Sequence, residues 1–278
     1  MCTFVEIFLD MKGKVVIITG ASSGIGMACA KAFANKGANI VIAARTLPAL
    51  EELASELGKI NASVLPVKCD VSVEEDCKHL INEAVSRFGR IDILVNNAGI
   101  SMRAIFKELN LDVLKRLMDV NFWGSVYCTK YALPFLLEYK GSVVGVSSIA
   151  GFKGLPARTG YSASKFALYG FLDALRVENL KTGLHVMVIA PGFTASNIRK
   201  VALAADGSRQ GETPRDESKM MTAEKVADIL VNGIIKRRRN IILTTEGKAV
   251  MFLKSLFPRL LDKLEYSFMA KEPDSPFK

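Results

Sequence analysis

Residues 14–26, with the sequence KVVIITGASSGIG, decide the fold of this chain. The run Val15–Thr19 is apolar and rich in β-branched side chains, which is typical of a strand buried on both faces. Gly20, Gly24 and Gly26 follow directly and open a segment of helical periodicity. Such a turn lets the backbone approach a phosphate closely, and the first amides of the helix favour negative charge. The stretch indicates a nucleotide site, with a plain tight turn as the alternative.

The rest of the chain repeats this alternation of short β-branched runs and longer segments of helical periodicity. The pattern predicts a doubly wound α/β fold, in which a seven-stranded parallel sheet carries helices on both faces and binds ligands at the carboxyl ends of its strands. With 278 residues, half of them apolar, we expect a single domain over residues 1–278. The predicted strands are Val15–Thr19, Asn39–Ala43, Ser63–Lys68, Ile93–Val95, Ser142–Ser147, His185–Ala190 and Ile241–Leu243, and the predicted helices are Gly26–Asn35, Leu47–Leu57, Val73–Phe88, Leu111–Glu138 and Tyr161–Leu180.

The charge of the chain favours an anionic partner. A formal net charge of +9 suits phosphorylated cofactors or acidic membrane surfaces. Nucleic acid is not expected, because the basic residues are spread along the chain and do not form a reading helix. No metal site is expected either, because His79 and His185 stand apart from other potential ligands.

The cysteines and the N-terminus favour a reduced, cytoplasmic protein. Five cysteines form an odd set without the short paired spacings of a zinc or redox motif. The first 11 residues have no basic region and no small-residue cleavage site, so residues 1–12 are expected to be an N-terminal extension. Lys or Arg interrupts every apolar run well short of the roughly 20 residues that span a bilayer.

Three motifs in this order resemble the short-chain dehydrogenase/reductase family. They are TGASSGIG at 19–26, NNAG at 96–99 and YSASK at 161–165, and the resemblance covers roughly residues 14–243. It implies a Rossmann-type domain that binds a nicotinamide dinucleotide and moves a hydride between a carbonyl and an alcohol. It also implies a homodimer or homotetramer built on the helices that start at Leu111 and Tyr161.

Tyr161 and Lys165 are the expected centre of the chemistry. They lie four residues apart in a helical pattern, so both side chains share one face. A free phenol titrates near 10, and a neighbouring ammonium would favour the phenolate and lower that pKa. In isolation, the two would be an ordinary half-buried aromatic and a solvated charge.

Two further positions follow from the resemblance. Ser148 lies 13 residues before Tyr161, where the family has the hydroxyl that polarises the substrate carbonyl. Ser147 is the competing serine, which would satisfy backbone groups at the strand end. Asn121 resembles the family's fourth catalytic position, which holds a water for proton relay, and its amide could accommodate a local helix distortion. A structural asparagine is the alternative.

The end of the second predicted strand bears on the choice of cofactor. An acidic residue there would bind a ribose 2′-hydroxyl and repel a 2′-phosphate. This chain has Ala44 and Arg45 instead, and a guanidinium suits a phosphate. NADP(H) is therefore favoured over NAD(H), with a solvated loop arginine as the alternative, and Ser22, Ser23 and Thr46 could add hydroxyl contacts.

Other cofactor contacts are implied by the resemblance. Asp70 and Val71 match the pair that contacts adenine, although an aspartate at a helix N-terminus would look the same. Residues 97–99 would line the adenosine side or hold the sheet together, and residues 191–194 would flank the nicotinamide. The cofactor residues expected are Gly20, Ser22, Ser23, Gly24, Ile25, Gly26, Arg45, Thr46, Asp70, Val71, Asn97, Ala98, Gly99, Tyr161, Lys165, Pro191, Gly192 and Thr194.

The substrate side of the site is expected after the sixth strand. The polar stretch 205–219 and its surroundings, about 193–220, would form a lid that excludes water, or only a mobile surface loop. Besides Ser148 and Tyr161, the residues expected at the substrate are Phe152, Leu155, Phe193 and Ile198. This apolar set indicates a hydrophobic carbonyl compound such as a ketolipid, although such residues could simply cover the sheet.

The C-terminal segment, about 245–278, mixes apolar and basic residues, as in AVMFLKSLFPRLLDKL at 249–264. It could lie in a membrane interface, but coverage of the sheet edge or of a partner subunit is favoured. The leading interpretation is an NADP(H)-dependent reductase of a ketone or aldehyde. An NAD-linked alcohol dehydrogenase is the alternative enzyme, and a nucleotide-binding subunit without turnover is the alternative of a different class.

Overall fold

The fold is seen in a computed structural model that describes residues 11–60, 63–194, 198–211, 220–271, 275 and 277. Within these residues, seven strands form one parallel sheet in the order β3-β2-β1-β4-β5-β6-β7. The predicted α/β fold with a seven-stranded parallel sheet is confirmed. The strands are β1 Val15–Thr19, β2 Asn39–Ala44, β3 Val64–Lys68, β4 Ile93–Asn96, β5 Ser142–Val146, β6 His185–Ala190 and β7 Asn240–Ile242.

Helices cover both faces of the sheet because alternate strand residues point to opposite sides. In β1, Val16 and Ile18 belong to one buried cluster and Val15 and Ile17 to the other. The first cluster also contains the buried apolar residues of three helices, α1 Gly24–Ala34, α2 Leu47–Gly58 and α7 Ala223–Ile235. The second cluster contains the buried apolar residues of α3 Glu74–Phe88, α5 Gly124–Glu138 and α6 Thr159–Glu178.

The helix predicted over 111–138 is interrupted. It consists of α4 Leu111–Met118, a π-helical turn Asp119–Trp123, and α5. Asn121 lies inside the π-helical turn, so the helix distortion foreseen at this residue is present. The pattern analysis did not single out α7, although its apolar residues recur at helical spacing.

The sheet order positions the site. The strand order changes direction on the two sides of β1, which pairs with both β2 and β4. A crevice forms where such a reversal occurs, outside the carboxyl ends of the strands. The glycine-rich turn after β1 and the residues after β4 therefore lie next to each other.

Two segments extend over this edge. The described part of the expected lid, 198–211, is anchored by Leu203, which is buried against Met102 and Leu117 and bridges to Met102 and Arg209. Residues 195–197 and 212–219 of that lid lie outside the described residues, as does most of the N-terminal extension 1–12. The C-terminal segment forms two helices, α8 Thr245–Leu256 and α9 Pro258–Ala270, which we call the C-terminal hairpin.

Candidate active site

The glycine-rich turn packs backbone against backbone. Gly20 has φ +66°, and a Cβ added there would lie 2.8 Å from the Cα of Ala98. A Cβ added at Gly26 would lie 2.3 Å from the carbonyl oxygen of Gly20. Any side chain at either position would force the turn open, because both neighbours are backbone atoms.

Hydrogen bonds join this turn to the segment after β4. The Asn97 side-chain amide donates to the carbonyl of Thr19 at 2.9 Å and to that of Gly20 at 3.2 Å. The Thr19 hydroxyl in turn accepts from the backbone amides of Asn97 and Ala98, both at 3.0 Å. The NNAG motif thus holds the sheet edge together, as the structural interpretation of residues 97–99 foresaw, and it also lines the adjacent cleft.

A cleft of about 520 Å³ follows the turn. Gly26, one of the expected cofactor residues, is not part of its lining. Arg45 and Thr46 are exposed at its rim, while the Asp70 carboxylate accepts from the Ser72 amide and hydroxyl at 3.0 and 2.7 Å. The expected cofactor residues that line the cleft are Gly20, Ser22, Ser23, Gly24, Ile25, Arg45, Thr46, Asp70, Val71, Asn97, Ala98 and Gly99.

These residues fit a dinucleotide. The backbone amides of the glycine-rich turn and the hydroxyls of Ser22 and Ser23 would bind the phosphates, and the Asp70 carboxylate would contact the adenine. The alternative for Asp70, an N-terminal helix cap, does not hold, because Val73 occupies the N-cap position of α3 and the Asp70 carboxylate accepts from Ser72 instead. Ser72 orients the Asp70 carboxylate, and Asp70 lines the cleft.

A larger cavity of about 1210 Å³ adjoins the cleft and shares Ile25, Asn97, Gly99 and Ile198 with it. Ser148, Tyr161 and Lys165 line this cavity together. The other expected residues in its lining are Leu155, Pro191, Gly192, Phe193, Thr194 and Ile198.

Phe152 is not among the lining residues. Its side chain is buried in the core beneath β5, and its ring lies 4.5 Å from that of Tyr169, edge to face. The expectation of a substrate contact at Phe152 is corrected, because a buried aromatic pair stabilises packing of the sheet against α6. Ser147, the competing serine, lines the cavity beside Ser148, and its hydroxyl donates to the carbonyl of Lys165 at 3.4 Å.

Tyr161 and Lys165 share one face of α6, and the Lys165 nitrogen lies 5.9 Å from the centre of the Tyr161 ring. Burial lowers the pKa of Lys165 to about 8. Burial also raises the pKa of Tyr161, and a hydrogen bond with Ser148 and the charge of Arg158 oppose this rise.

The expected lowering of the Tyr161 pKa by Lys165 is therefore wrong for this structure. The Lys165 ammonium donates to the carbonyl of Val146 at 2.8 Å, and its own charged form is disfavoured by burial. Desolvation outweighs the hydrogen bond with Ser148 and the charge of Arg158, so the phenol stays protonated near neutral pH.

Asn121 is fully buried and contacts backbone on the edge of the site. Its amide donates to the carbonyl of Ile100 at 2.9 Å and accepts from the Ile100 amide at 2.8 Å. It also donates to the hydroxyl of Ser164 at 2.9 Å. A Cβ at Gly99 would lie 3.2 Å from the Asn121 oxygen and 3.4 Å from the Lys165 nitrogen. Asn121 is thus a positioning residue that joins the loop after β4 to α6.

The C-terminal hairpin forms one wall of the cavity, which sequence reasoning missed. Leu261 and Met269 are buried in this wall, whereas Leu264 and Phe268 line it and remain about half exposed. Arg158 also lines the cavity. The sequence analysis did not single out Arg158, although its position three residues before Tyr161 could have indicated that it lies at the site.

Comparison with known proteins supports the same class. A family model described as short chain dehydrogenase matches residues 14–206. Dehydrogenase/reductase SDR family member 7B of Mus musculus is 35% identical over 272 residues, which cover 95% of this chain and 84% of that protein. 11-beta-hydroxysteroid dehydrogenase-like 4A of Arabidopsis thaliana is 37% identical over 257 residues, which cover 90% of this chain and 83% of that protein. The chain belongs to the short-chain dehydrogenase/reductase family.

Solved structures share the fold. A short-chain dehydrogenase/reductase from Burkholderia phymatum in complex with NAD superposes with a TM-score of 0.80 at 26% identity, over 90% of this chain and 96% of that one. An alcohol dehydrogenase from Thermococcus sibiricus complexed with 5-hydroxy-NADP superposes with a TM-score of 0.72 at 24% identity, over 83% of this chain and 95% of that one. Family membership makes this chain an oxidoreductase that acts on a CH–OH/C=O pair with a nicotinamide dinucleotide.

Two further kinds of feature are absent from the described residues. No cluster of three or more His, Cys, Asp or Glu side chains could hold a metal ion there. Across the same parts of the chain, no helix combines the length and apolar character needed to cross a membrane.

Proposed function

We propose that this protein reduces a hydrophobic ketone or aldehyde with NADPH. The observation that carries the proposal is that Ser148, Tyr161 and Lys165 line one cavity, which adjoins the dinucleotide cleft. The same three residues argue against a nucleotide-binding subunit without turnover, because binding alone needs no such set.

The proposed chemistry assigns one role to each side chain. The bound dinucleotide supplies the hydride. Tyr161 donates its proton to the carbonyl oxygen, and its raised pKa keeps the phenol in the protonated form that reduction requires. The Ser148 hydroxyl donates a hydrogen bond to the same oxygen as negative charge develops on it. Lys165 contributes a positive charge beside the phenol, and Asn121 holds the loop that carries Gly99.

The preference for NADP(H) over NAD(H) is supported by the rim of the cleft. Arg45 lies at the end of β2 with Ala44 before it, so no carboxylate there opposes a 2′-phosphate. Arg116 and Arg209 also line the cleft and add to its positive charge. An NAD-linked alcohol dehydrogenase remains the second candidate within the family.

A lipid-like substrate is supported by the C-terminal hairpin. Seven large apolar side chains of this segment are exposed by half or more, from Phe252 at 63% to Leu260 and Leu264 at 50%. Leu264 and Phe268 belong both to this surface and to the cavity wall. Lys248, Arg259 and Lys263 are exposed on the same hairpin, which suits an anionic lipid surface. We therefore propose peripheral membrane contact here rather than a partner subunit.

The proposed homo-oligomer would use other surfaces. Trp123, at the end of the π-helical turn, and Phe166 and Val177 on α6 are exposed apolar residues. They lie on the two helical regions from which family members are expected to assemble.

The test is consumption of NADPH and of NADH over a panel of ketosteroids, long-chain ketolipids and small diketones. Tyr161→Phe removes only the hydroxyl and should abolish carbonyl-dependent oxidation of NADPH while leaving NADPH binding intact. Unchanged turnover in this variant would refute the assignment of Tyr161 as proton donor.

A further inference from the structure

We infer that Lys153 determines substrate specificity. Its ion pairs hold helix α9 in place as the wall of the cavity that contacts the apolar part of the substrate. This role rests on the proposed reduction of a hydrophobic carbonyl compound and narrows its substrate class to ketones long enough to reach α9. Lys153 acts through α9, so it is a positioning residue that takes no part in the proton transfer at Tyr161.

Apolar packing alone holds α9 weakly. Of its 13 residues, Leu261 and Met269 are the buried ones. Leu260, Leu264 and Phe268 are half exposed or slightly more, and the principal helix neighbour of α9 is α8. A helix with few buried apolar contacts has low local stability. The polar contacts of α9 therefore decide where it lies.

The Lys153 ammonium supplies such contacts. Its nitrogen lies 2.9 Å from a carboxylate oxygen of Asp262 and 2.9 Å from one of Glu265. The side chains of Lys153 and Glu265 are 16% and 12% exposed, whereas that of Asp262 is 65% exposed. An exposed ion pair contributes little, but removal of one partner from a pair withdrawn from water leaves the other charge uncompensated. The pair with Glu265 is therefore the one that fixes α9.

Lys153 belongs to a turn that also carries Ser148. The Ser148 hydroxyl accepts from the Ala150 amide at 3.2 Å. The amides of Phe152 and Lys153 both donate to the carbonyl of Ile149, at 2.9 and 3.1 Å. These bonds make the turn a fixed base, so the ion pair holds α9 at a defined position relative to Ser148.

Helix α8 is attached to the same turn by other contacts. A Cβ added at Gly247 would lie 2.5 Å from the Cδ1 of Ile149, so the start of α8 packs directly on the turn. The Lys254 ammonium, further along α8, donates to the carbonyl of Phe152. Loss of the Lys153 ion pairs should thus displace α9 and leave α8 in place.

The inner side of α9 is the apolar wall of the cavity. The α9 residues in the lining are Leu261, Leu264, Glu265, Phe268 and Met269. At about 1210 Å³, the cavity exceeds the roughly 300–1,000 Å³ of most small-ligand pockets. A small ketone bound at Ser148 and Tyr161 fills only part of it, whereas a long chain extends to α9 and gains affinity with each methylene buried there.

The experiment measures kcat/KM with NADPH over the series of 2-alkanones from 2-butanone to 2-tridecanone. The proteins are the wild type, Lys153→Met, Lys153→Arg and the double variant Lys153→Met, Glu265→Met. Lys31→Met is the matched control. Lys31 also pairs with a glutamate of another helix, Glu56 at 2.7 Å, and both residues lie outside the cavity lining.

We expect kcat/KM of the wild type to rise with chain length. Lys153→Met should lower the value for 2-tridecanone at least about 20-fold and that for 2-butanone less than about threefold. Lys153→Arg keeps the charge and should keep most of the dependence on chain length, and Lys31→Met all of it. An equal loss on short and long ketones in Lys153→Met would overturn the inference.

The double variant tests the ion pair itself. It leaves no uncompensated Glu265 carboxylate and places two apolar side chains where the pair was, a replacement that proteins often tolerate. It should recover at least about fivefold of the loss seen for 2-tridecanone in Lys153→Met. A double variant as impaired as Lys153→Met would contradict the role of the pair.

Two measurements without turnover separate this role from the proposed reduction. Hydrogen exchange of residues 258–270 should be at least about tenfold faster in Lys153→Met than in the wild type or Lys31→Met. Calorimetry with NADPH-loaded Tyr161→Phe should show weaker binding of 2-tridecanone when Lys153→Met is added. Wild-type exchange in Lys153→Met, or unchanged affinity, refutes the role of Lys153, whatever the turnover. Faster exchange and weaker binding support it even if the wild type reduces none of the ketones.

Discussion

The Lys165 ammonium nitrogen lies 5.9 Å from the centre of the Tyr161 ring and donates a hydrogen bond to the carbonyl of Val146 at 2.8 Å. Lys165 is buried and Tyr161 is half-buried where β5 ends. Burial disfavours the charged form of each, which lowers the pKa of Lys165 to about 8 and raises that of Tyr161. Near neutral pH the pair is therefore a protonated phenol beside an ammonium whose pKa is about 8.

The pH dependence of reduction should report Lys165. Its charged form is present below pH about 8 and is lost above it, so kcat/KM for NADPH should fall as pH rises through 8. In Lys165→Arg the charge persists, and this decline should move to higher pH, because a guanidinium does not titrate in this range. Initial rates of NADPH oxidation between pH 6 and 10 measure the pH at which kcat/KM declines in the wild type and in Lys165→Arg. An unchanged decline in Lys165→Arg would assign the titration to another group.

Replacement of Lys165 by Met should stabilise the protein without cofactor. A pKa lowered from 10.5 to about 8 corresponds to a destabilisation of about 3 kcal/mol near pH 7. Loss of the hydrogen bond to Val146 offsets about 1 kcal/mol of this. Urea unfolding should therefore show Lys165→Met more stable than wild type by about 2 kcal/mol, with no activity.

The pH dependence of this difference is its internal control. The folded-state pKa of Lys165 lies below the unfolded value, so between pH 8 and 10.5 the unfolded chain binds more protons and the wild type gains stability as pH rises. The advantage of Lys165→Met should shrink across that window. A difference independent of pH would show that packing, not desolvation of the ammonium, is responsible.

Arg45→Asp should change the choice of cofactor. Loss of a charge-assisted hydrogen bond to the 2′-phosphate, together with a new negative charge, should lower kcat/KM for NADPH by about 10- to 100-fold. The value for NADH should stay constant or rise. Arg238→Asp makes the same charge change away from the cleft and should leave the ratio of the two cofactors unaltered. A ratio that is also unaltered in Arg45→Asp would make this residue a solvated loop arginine.

The apolar surface of the C-terminal hairpin should bind anionic lipid. Phe252 and Phe257 are 63% and 53% exposed, so the double change to Ser should lower partitioning onto vesicles with phosphatidylserine at least about tenfold. The same change at Phe106 and Leu180, which are 59% and 75% exposed, should have little effect. Sedimentation with vesicles at low and high salt measures the partitioning of both double variants.

A different outcome would identify a second copy of the chain as the partner. If the Phe252 and Phe257 changes reduce the molar mass seen by light scattering and leave vesicle binding intact, the hairpin is an interface between subunits. Wild-type protein that does not sediment with vesicles would equally contradict lipid contact.

The fold was accessible from the sequence because its signals are local. The β-branched run Val15–Thr19 and the glycines that follow define a strand, a turn and a helix within 20 neighbouring positions, and the alternation of such units limits the topology. The site was accessible in part for the same reason. Tyr161 and Lys165 share a helix face by spacing alone.

Other features could not be read from neighbours in sequence. Phe152 and Leu155 looked alike as apolar residues after β5, yet Phe152 packs against Tyr169 and Leu155 lines the cavity. The C-terminal hairpin folds back over residues that lie far earlier in the chain. Lys254, for example, donates a hydrogen bond to the carbonyl of Phe152, which precedes it by 102 positions.

The amino-acid sequence by itself determined the parallel sheet, the glycine-rich turn and the helix face shared by Tyr161 and Lys165, because each depends on periodicity or on steric limits between adjacent residues. Only the tertiary structure decided the sign of the Tyr161 pKa shift, the inward position of Arg158 and the apolar wall of the cavity. Those properties depend on how much water is excluded and which distant side chains replace it, and spacing along the chain carries no measure of either.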